Sequence, residues 1–240
     1  KEEDLIQNLY VLSSHSQLLC FTTKGKVFWL KVYEIPVASR TSKGRPLVNM
    51  LKLDDDETVT QILPVDEFSD KKFIFMATRN GIVKKTNLNL FHKKYKSGIK
   101  AIRLDDDDKL VGTVITNGDN DILLSSYSGK LIRFHESKVR PMGRTARGVK
   151  GIKLKDGMKV ISLMIGDQSK TILCLSENGF GKRTKLEDFP SYNRGGQGVI
   201  ALKTSERNGN MVSAVSVDED DGIMLISDKG TLIRTAISQI

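Results

Sequence analysis

Five glycines recur along this chain at nearly constant intervals: Gly25, Gly81, Gly129, Gly179 and Gly230, spaced 56, 48, 50 and 51 residues apart. Each follows a short apolar run, at residues 18–21, 73–76, 122–124, 172–175 and 223–226, and precedes a second run that carries Lys or Arg. Runs this short and apolar on both faces read as buried strands rather than helices. The pairs Lys24-Gly25, Asn80-Gly81, Ser128-Gly129, Asn178-Gly179 and Lys229-Gly230 suit tight hairpin turns, because glycine takes a positive φ without a Cβ clash. A period near 50 residues in a strand-rich sequence predicts an all-β, propeller-like array of small sheets.

Within the repeat, the second strand falls near residues 83–85, 131–133, 181–183 and 232–234 and carries cations; the first repeat departs, with Trp29 in that place. A long connection leads to a second periodic glycine, Gly44, Gly98, Gly148 or Gly198. A third strand is predicted over 99–104 and 149–154, where apolar and polar residues alternate. An acidic turn then leads to a fourth strand near 58–65, 110–115, 160–165 and 211–217, and residues 5–12 match the fourth strand of an earlier unit. The expected organisation is a single domain over 1–240, with four full repeats near 17–69, 72–120, 121–169 and 170–221 and partial ones at 1–16 and 222–240. Helix should be nearly absent, with one turn each at 88–91 and 186–189.

At 39% hydrophobic content a chain of 240 residues can bury a core without staples. Cys20 and Cys174 occupy the same phase of two repeats and are expected to be buried free thiols in a reducing compartment. No apolar stretch of about 18 residues exists to span a membrane. The first residues lack a signal peptide's basic and apolar regions and an initiator Met, and the chain opens partway through a repeat, as a piece of a longer protein would.

Lys and Arg number 38 against 29 Asp and Glu, a formal charge of +9, which favours a polyanionic partner. The long connections collect that charge: Arg40, Lys43 and Arg45; Lys93, Lys94 and Lys96; Lys138, Arg140, Arg144 and Arg147; and Arg194. They hold almost no Asp or Glu, and a regular repeat must place equivalent loops at equivalent positions, so a cationic rim facing DNA phosphates follows. The second-strand cations Lys84, Lys85, Arg133, Lys182, Arg183 and Arg234 are assigned to the same DNA-binding set. The acidic turns at 54–57, 105–108 and 218–221 lack the ligand alternation of a calcium loop and read as a solvated face that turns DNA away. His15, His92 and His135 fall at unrelated phases, so neither a catalytic constellation nor a metal site is expected.

Several stretches together point to a relationship: 43–49, 75–86, 136–144, 178–184 and 230–235. Over essentially its whole length the chain resembles the C-terminal DNA-wrapping domains of bacterial DNA gyrase A. That resemblance implies a β-pinwheel, a propeller-like disc of four-stranded blades; the repeats here supply about five to six, open or incomplete at the ends. It further implies duplex DNA binding, bending and wrapping in support of negative supercoiling, with no catalytic site in this chain. ATP and Mg would act elsewhere in the holoenzyme. The partners would be double-stranded DNA, the rest of gyrase A, and gyrase B, and the location would be the bacterial cytoplasm and nucleoid. The family's basic, glycine-rich signature box is missing; residues 192–198 keep one Arg and three glycines of it. Two alternatives stay open, the equivalent domain of topoisomerase IV and a protein-interaction propeller. The repeat signatures of WD and kelch arrays are absent, which weighs against the second.

Overall fold

The computed structural model describes residues 10–39, 42, 44–227 and 231–240. The first repeat has β1 (Gln17–Thr22), β2 (Lys26–Lys31) and β3 (Val59–Val65). The second repeat has β4 (Phe73–Thr78), β5 (Ile82–Asn87), β6 (Ile99–Lys100) and β7 (Leu110–Thr116). The third has β8 (Asp121–Ser126), β9 (Lys130–His135), β10 (Val149–Lys150) and β11 (Val160–Ile165). The fourth has β12 (Thr171–Ser176), β13 (Gly181–Lys185), β14 (Val199–Ile200) and β15 (Met211–Val217), and the hairpin β16 (Gly222–Ile226) and β17 (Leu232–Ala236) follows. The remaining regular elements are 3-10 turns, at Val32–Glu34, Leu47–Asn49, Leu88–Phe91, Glu136–Lys138, Leu186–Asp188 and Ile237–Gln239.

The hairpins and fourth strands lie where the sequence puts them, but the third strands do not. Each is only two residues long and pairs outside its own repeat: β6 with β2, β10 with β5 and β14 with β9. The four-stranded sheets are therefore β3-β1-β2-β6, β7-β4-β5-β10 and β11-β8-β9-β14, each completed by the repeat that follows it. The alternation over 99–104 and 149–154 correctly marks extended chain, yet after two ladder residues that chain turns to the hairpin glycine of the earlier repeat. The Gly129 carbonyl accepts the Ala201 and Leu202 amides at 2.9 and 3.1 Å, and Gly25 and Gly81 accept the equivalent pairs from 101–102 and 151–152. Of the expected strand over 5–12, residues 5–9 lie outside the described residues, and 10–12 are not in a strand.

The first strand of each repeat is apolar on both faces because each face meets a different neighbour. On β4, Ile74 and Met76 pack with Leu19 and Phe21 of β1, while Phe75 and Ala77 pack with Ile122 and Leu124 of β8. On β8, Leu123 turns the other way, to Ile172 and Cys174 of β12. The core is thus a stack of inter-sheet layers, and burial of this apolar area is its main driving force, at roughly 25 cal/mol per Å². Cys20 and Cys174 sit in these layers as free thiols, and burial pushes them up to about 12 and about 11.

Candidate nucleic-acid interface

The second-strand cations divide into three groups. Lys84 is wholly buried: its ammonium donates to the carbonyls of Ala101 (2.6 Å), Arg144 and Ala146 (3.4 Å). No carboxylate is among these partners, so burial, aided by the nearby Arg144 charge, lowers its pKa to about 7. Lys85 is also buried, with its Nζ 3.0 Å from the Glu136 carbonyl and 3.5 Å from the Glu136 carboxylate. Arg133 is tied to Asp121 and to the carbonyls of Leu186 and Phe189. The exposure expected from the sequence is thus corrected: Lys84 and Arg133 are turned inward onto partners in their own repeat and the next, and Lys85 onto the next repeat. The strand period that exposes one side chain to solvent in an edge sheet buries it here, because a second sheet or loop covers each face. Arg183 is half-buried and paired with Glu219, whereas Lys182 and Arg234 are exposed.

The loop cations fare differently. Arg45, Lys93, Lys94, Lys96, Lys138, Arg140 and Arg147 are exposed. Arg40 and Lys43 lie outside the described residues. Arg147 is engaged by Asp105, Nε to Oδ1 at 2.6 Å, which raises the arginine and holds the carboxyl below the usual range. Arg144 lies over the Tyr95 ring at 5.9 Å and Lys93 over the same ring at 5.8 Å, so Tyr95 joins the loops of two consecutive repeats. Arg194 reaches back to the carbonyls of Lys138 (2.9 Å) and Lys150 (3.0 Å) and lines an open groove with Tyr192, Gly195, Gly196 and Gly198.

The fold adds cations that sequence reasoning missed. Lys100 and Lys150 on the shared strands, and Arg103, Lys153 and Lys203 just beyond them, are exposed. Their spacing of 50 residues was the available signal. The Arg103 amide donates to the Ala146 carbonyl at 3.1 Å and the Lys153 amide to the Gly196 carbonyl at 2.8 Å. The shared strand of one repeat thereby runs directly beside the basic loop of the next. Loop 92–98 leads through Lys100 and Arg103 to loop 138–147, and that loop leads through Lys150 and Lys153 to loop 191–198.

The acidic turns are less isolated than expected. Lys24 pairs with Asp56, and Lys26 lies 2.9 Å from Asp54 and 3.5 Å from the buried Glu57. Among the described residues, no group of three or more His, Cys, Asp or Glu side chains is placed to hold a metal ion, and no helix is long and apolar enough to cross a membrane.

A family profile described as "DNA gyrase C-terminal domain, beta-propeller" matches residues 16–66, 72–117, 120–167, 170–218 and 223–240. The chain belongs to this family. It is 48% identical over all 240 residues to DNA gyrase A of Salmonella typhimurium, and equally to that of Escherichia coli. It spans 27% of the length of each of those relatives. Among solved structures, the C-terminal domain of DNA topoisomerase IV superposes with a TM-score of 0.87 at 29% identity, over 95% of this chain and 71% of that one. A DNA gyrase A C-terminal domain gives 0.79 at 26% identity, over 95% and 75%. The all-β β-pinwheel expected from the sequence agrees with these relationships.

Proposed function

We propose that this chain binds duplex DNA through its phosphates, without base preference, and bends it along the track of exposed loop and shared-strand cations. The observation that carries the reading is the continuity of that track: Arg103 and Lys153 are hydrogen-bonded to the next basic loop, and the loops at 92–98, 138–148 and 191–198 contain no Asp or Glu. Sequence-independent binding needs only cations matched to a phosphate line of about one charge per 1.7 Å. Base reading needs a helix, ribbon or arm inserted in a groove, and this surface of loops and two-residue strands offers none. Lys93, Lys94, Lys96, Lys138, Arg140, Lys100, Lys150 and Lys153 are the contacts we assign, with Arg45, Arg144, Arg147, Lys182, Arg194 and Arg234 flanking them.

Within a longer gyrase A polypeptide the domain would hold DNA in a curved path and so bias the crossing that an ATP-driven type II topoisomerase then resolves into negative supercoils. The bond chemistry, ATP and Mg would belong to the rest of gyrase A and to gyrase B, in the bacterial cytoplasm and on the nucleoid. A second reading is the equivalent domain of topoisomerase IV, whose fold superposes with the higher TM-score, although the curated relatives that match over the whole chain are gyrase A.

The test is affinity for two linear duplexes of unrelated sequence, titrated across salt. The expectation is equal affinity falling with a log–log slope of about −0.9 per phosphate contacted. Combined charge reversal at Lys138, Arg140 and Arg144 should lower affinity at least tenfold at moderate salt while leaving the melting transition in place. A preference for one duplex, or a triple variant that binds unchanged, removes the reading.

A further inference from the structure

Three residues of different chemistry occupy one register position in successive repeats. Trp29 stands opposite Leu19, Lys85 opposite Phe75 and Arg133 opposite Leu123. Each donates from its side chain to a backbone carbonyl at the 3-10 turn of the next repeat. Trp29 Nε1 reaches the Phe91 carbonyl at 2.8 Å, and Lys85 Nζ reaches that of Glu136 at 3.0 Å. Arg133 Nη1 reaches those of Leu186 and Phe189 at 3.0 and 3.1 Å. The two cationic members also hold the far side of the same loop through their own carbonyls. Lys85 accepts the Met142 amide at 2.8 Å, and Arg133 accepts the Tyr192 amide at 2.9 Å.

We propose that Trp29, Lys85 and Arg133 are positioning residues for DNA binding: each sets the placement of the basic loop in the following repeat without touching DNA itself. This rests on the reading of those loops as the DNA surface. The common element is a donor of the right reach, not a charge, which is why an indole, an ammonium and a guanidinium serve alike. The Phe91 and Phe189 carbonyls stand at the ends of their 3-10 turns, where the turn itself offers no partner. Those of Glu136 and Leu186 open their turns, already accept the Val139 and Phe189 amides at 3.0 and 3.1 Å, and gain a second donor here. In every case a turn carbonyl is held by the repeat before it. Capturing it from the preceding repeat fixes the start of the loop relative to that repeat's shared strand. Lys93, Lys94 and Lys96 follow the turn held by Trp29, and Lys138 and Arg140 follow the Glu136 carbonyl held by Lys85. Tyr95, whose ring centroid is 6.0 Å from that of Trp29 and which lies under Lys93 and Arg144, carries the first latch onward to the next loop. In the fourth repeat Arg183, opposite Leu173, is paired with Glu219 instead.

The cleanest test is Trp29→Phe in the full chain, because it removes the N–H donor and alters no charge. Its duplex affinity should fall severalfold, and its log–log salt slope should become shallower by about 0.9 or more, the equivalent of at least one lost phosphate contact. Arg133→Lys provides a second variant that keeps the charge while shortening the fork; it should weaken binding less than Arg133→Gln. A Trp29→Phe chain with unaltered slope and affinity overturns the proposal, whatever happens to its melting temperature, and so does equal binding by the two Arg133 variants. The combined Lys93→Ala, Lys94→Ala and Lys96→Ala chain separates the two levels of the argument. If removing those cations leaves duplex binding intact, the DNA reading of the loop itself fails and the latch fails with it. If it weakens binding while Trp29→Phe does not, only the latch is lost.

Discussion

The hairpins that turn at Gly129 and Gly179 share a backbone conformation, with φ of +79° and +80°, but differ completely in what surrounds them. A Cβ built on Gly129 would lie 2.1 Å from the Leu202 carbonyl oxygen, because the chain after β14 folds onto that turn. At Gly179 nothing among the described residues lies within 4 Å of such an atom. The difference extends along the strands. Leu131 and Lys130 of β9 pair with β14, whereas β13 has β12 as its neighbour and, among the described residues, no strand on its other edge. Two stretches with the same local design thus differ in burial because one has a following repeat folded onto it. A blade of this fold is not a property of one repeat.

Substitution at the two glycines should separate these environments most strongly. Gly129→Ala meets both a positive φ and backbone overlap and should destabilise by about 3 kcal/mol, read as a drop in the denaturation midpoint. Gly179→Ala meets the positive φ alone and should cost about 1 kcal/mol. Equal losses at the two sites would dismiss the shared strand as the source of the difference.

Lys84 gives the next effect, visible in its pH dependence. Its pKa is lowered from 10.5 to about 7, so the unfolded chain binds the extra proton between those values. The cost of its buried charge is present in full below pH 7 and is relieved as the pH rises toward 10.5. Stability relative to Lys84→Met should therefore climb by about 1.4 kcal/mol per pH unit inside that window and level off outside it. Parallel stability curves for the two chains would place the ammonium in contact with water.

The smallest effect belongs to the exposed end of the comparison. Glu219→Gln breaks the pair with Arg183 beside β13 and should change stability by no more than about 0.5 kcal/mol. It also frees Arg183, so a slight gain in DNA affinity that fades with added salt is expected.

These contrasts also mark what the sequence could carry. The hairpins were legible because positive-φ glycines and runs apolar on both faces leave a chain few alternatives. The destination of residues 99–104 and 149–154 was not, since alternation specifies an extended segment and its two faces but never the partner strand. The same limit hid the burial of Lys84, Lys85 and Arg133. A cation in a strand looks like a surface residue until a neighbouring repeat covers it with backbone carbonyls. Trp29, Lys85 and Arg133 were still harder to connect, because their shared role lies in donor reach, and no grouping by residue type puts tryptophan with lysine and arginine. By contrast, Lys100 and Lys150 were readable from the period alone, although each is a single charge beside loops where several cluster.

The strand shared between repeats has a further consequence in time. β2 of the first repeat cannot find its outer partner until β6 has been made, after the whole β4–β5 hairpin has left the ribosome. Every internal sheet waits in the same way for the repeat behind it. Contacts of such long sequence separation slow folding, and until they form each nascent hairpin presents a bare edge. The order of synthesis therefore becomes the order of closure, each repeat sealing the one before it.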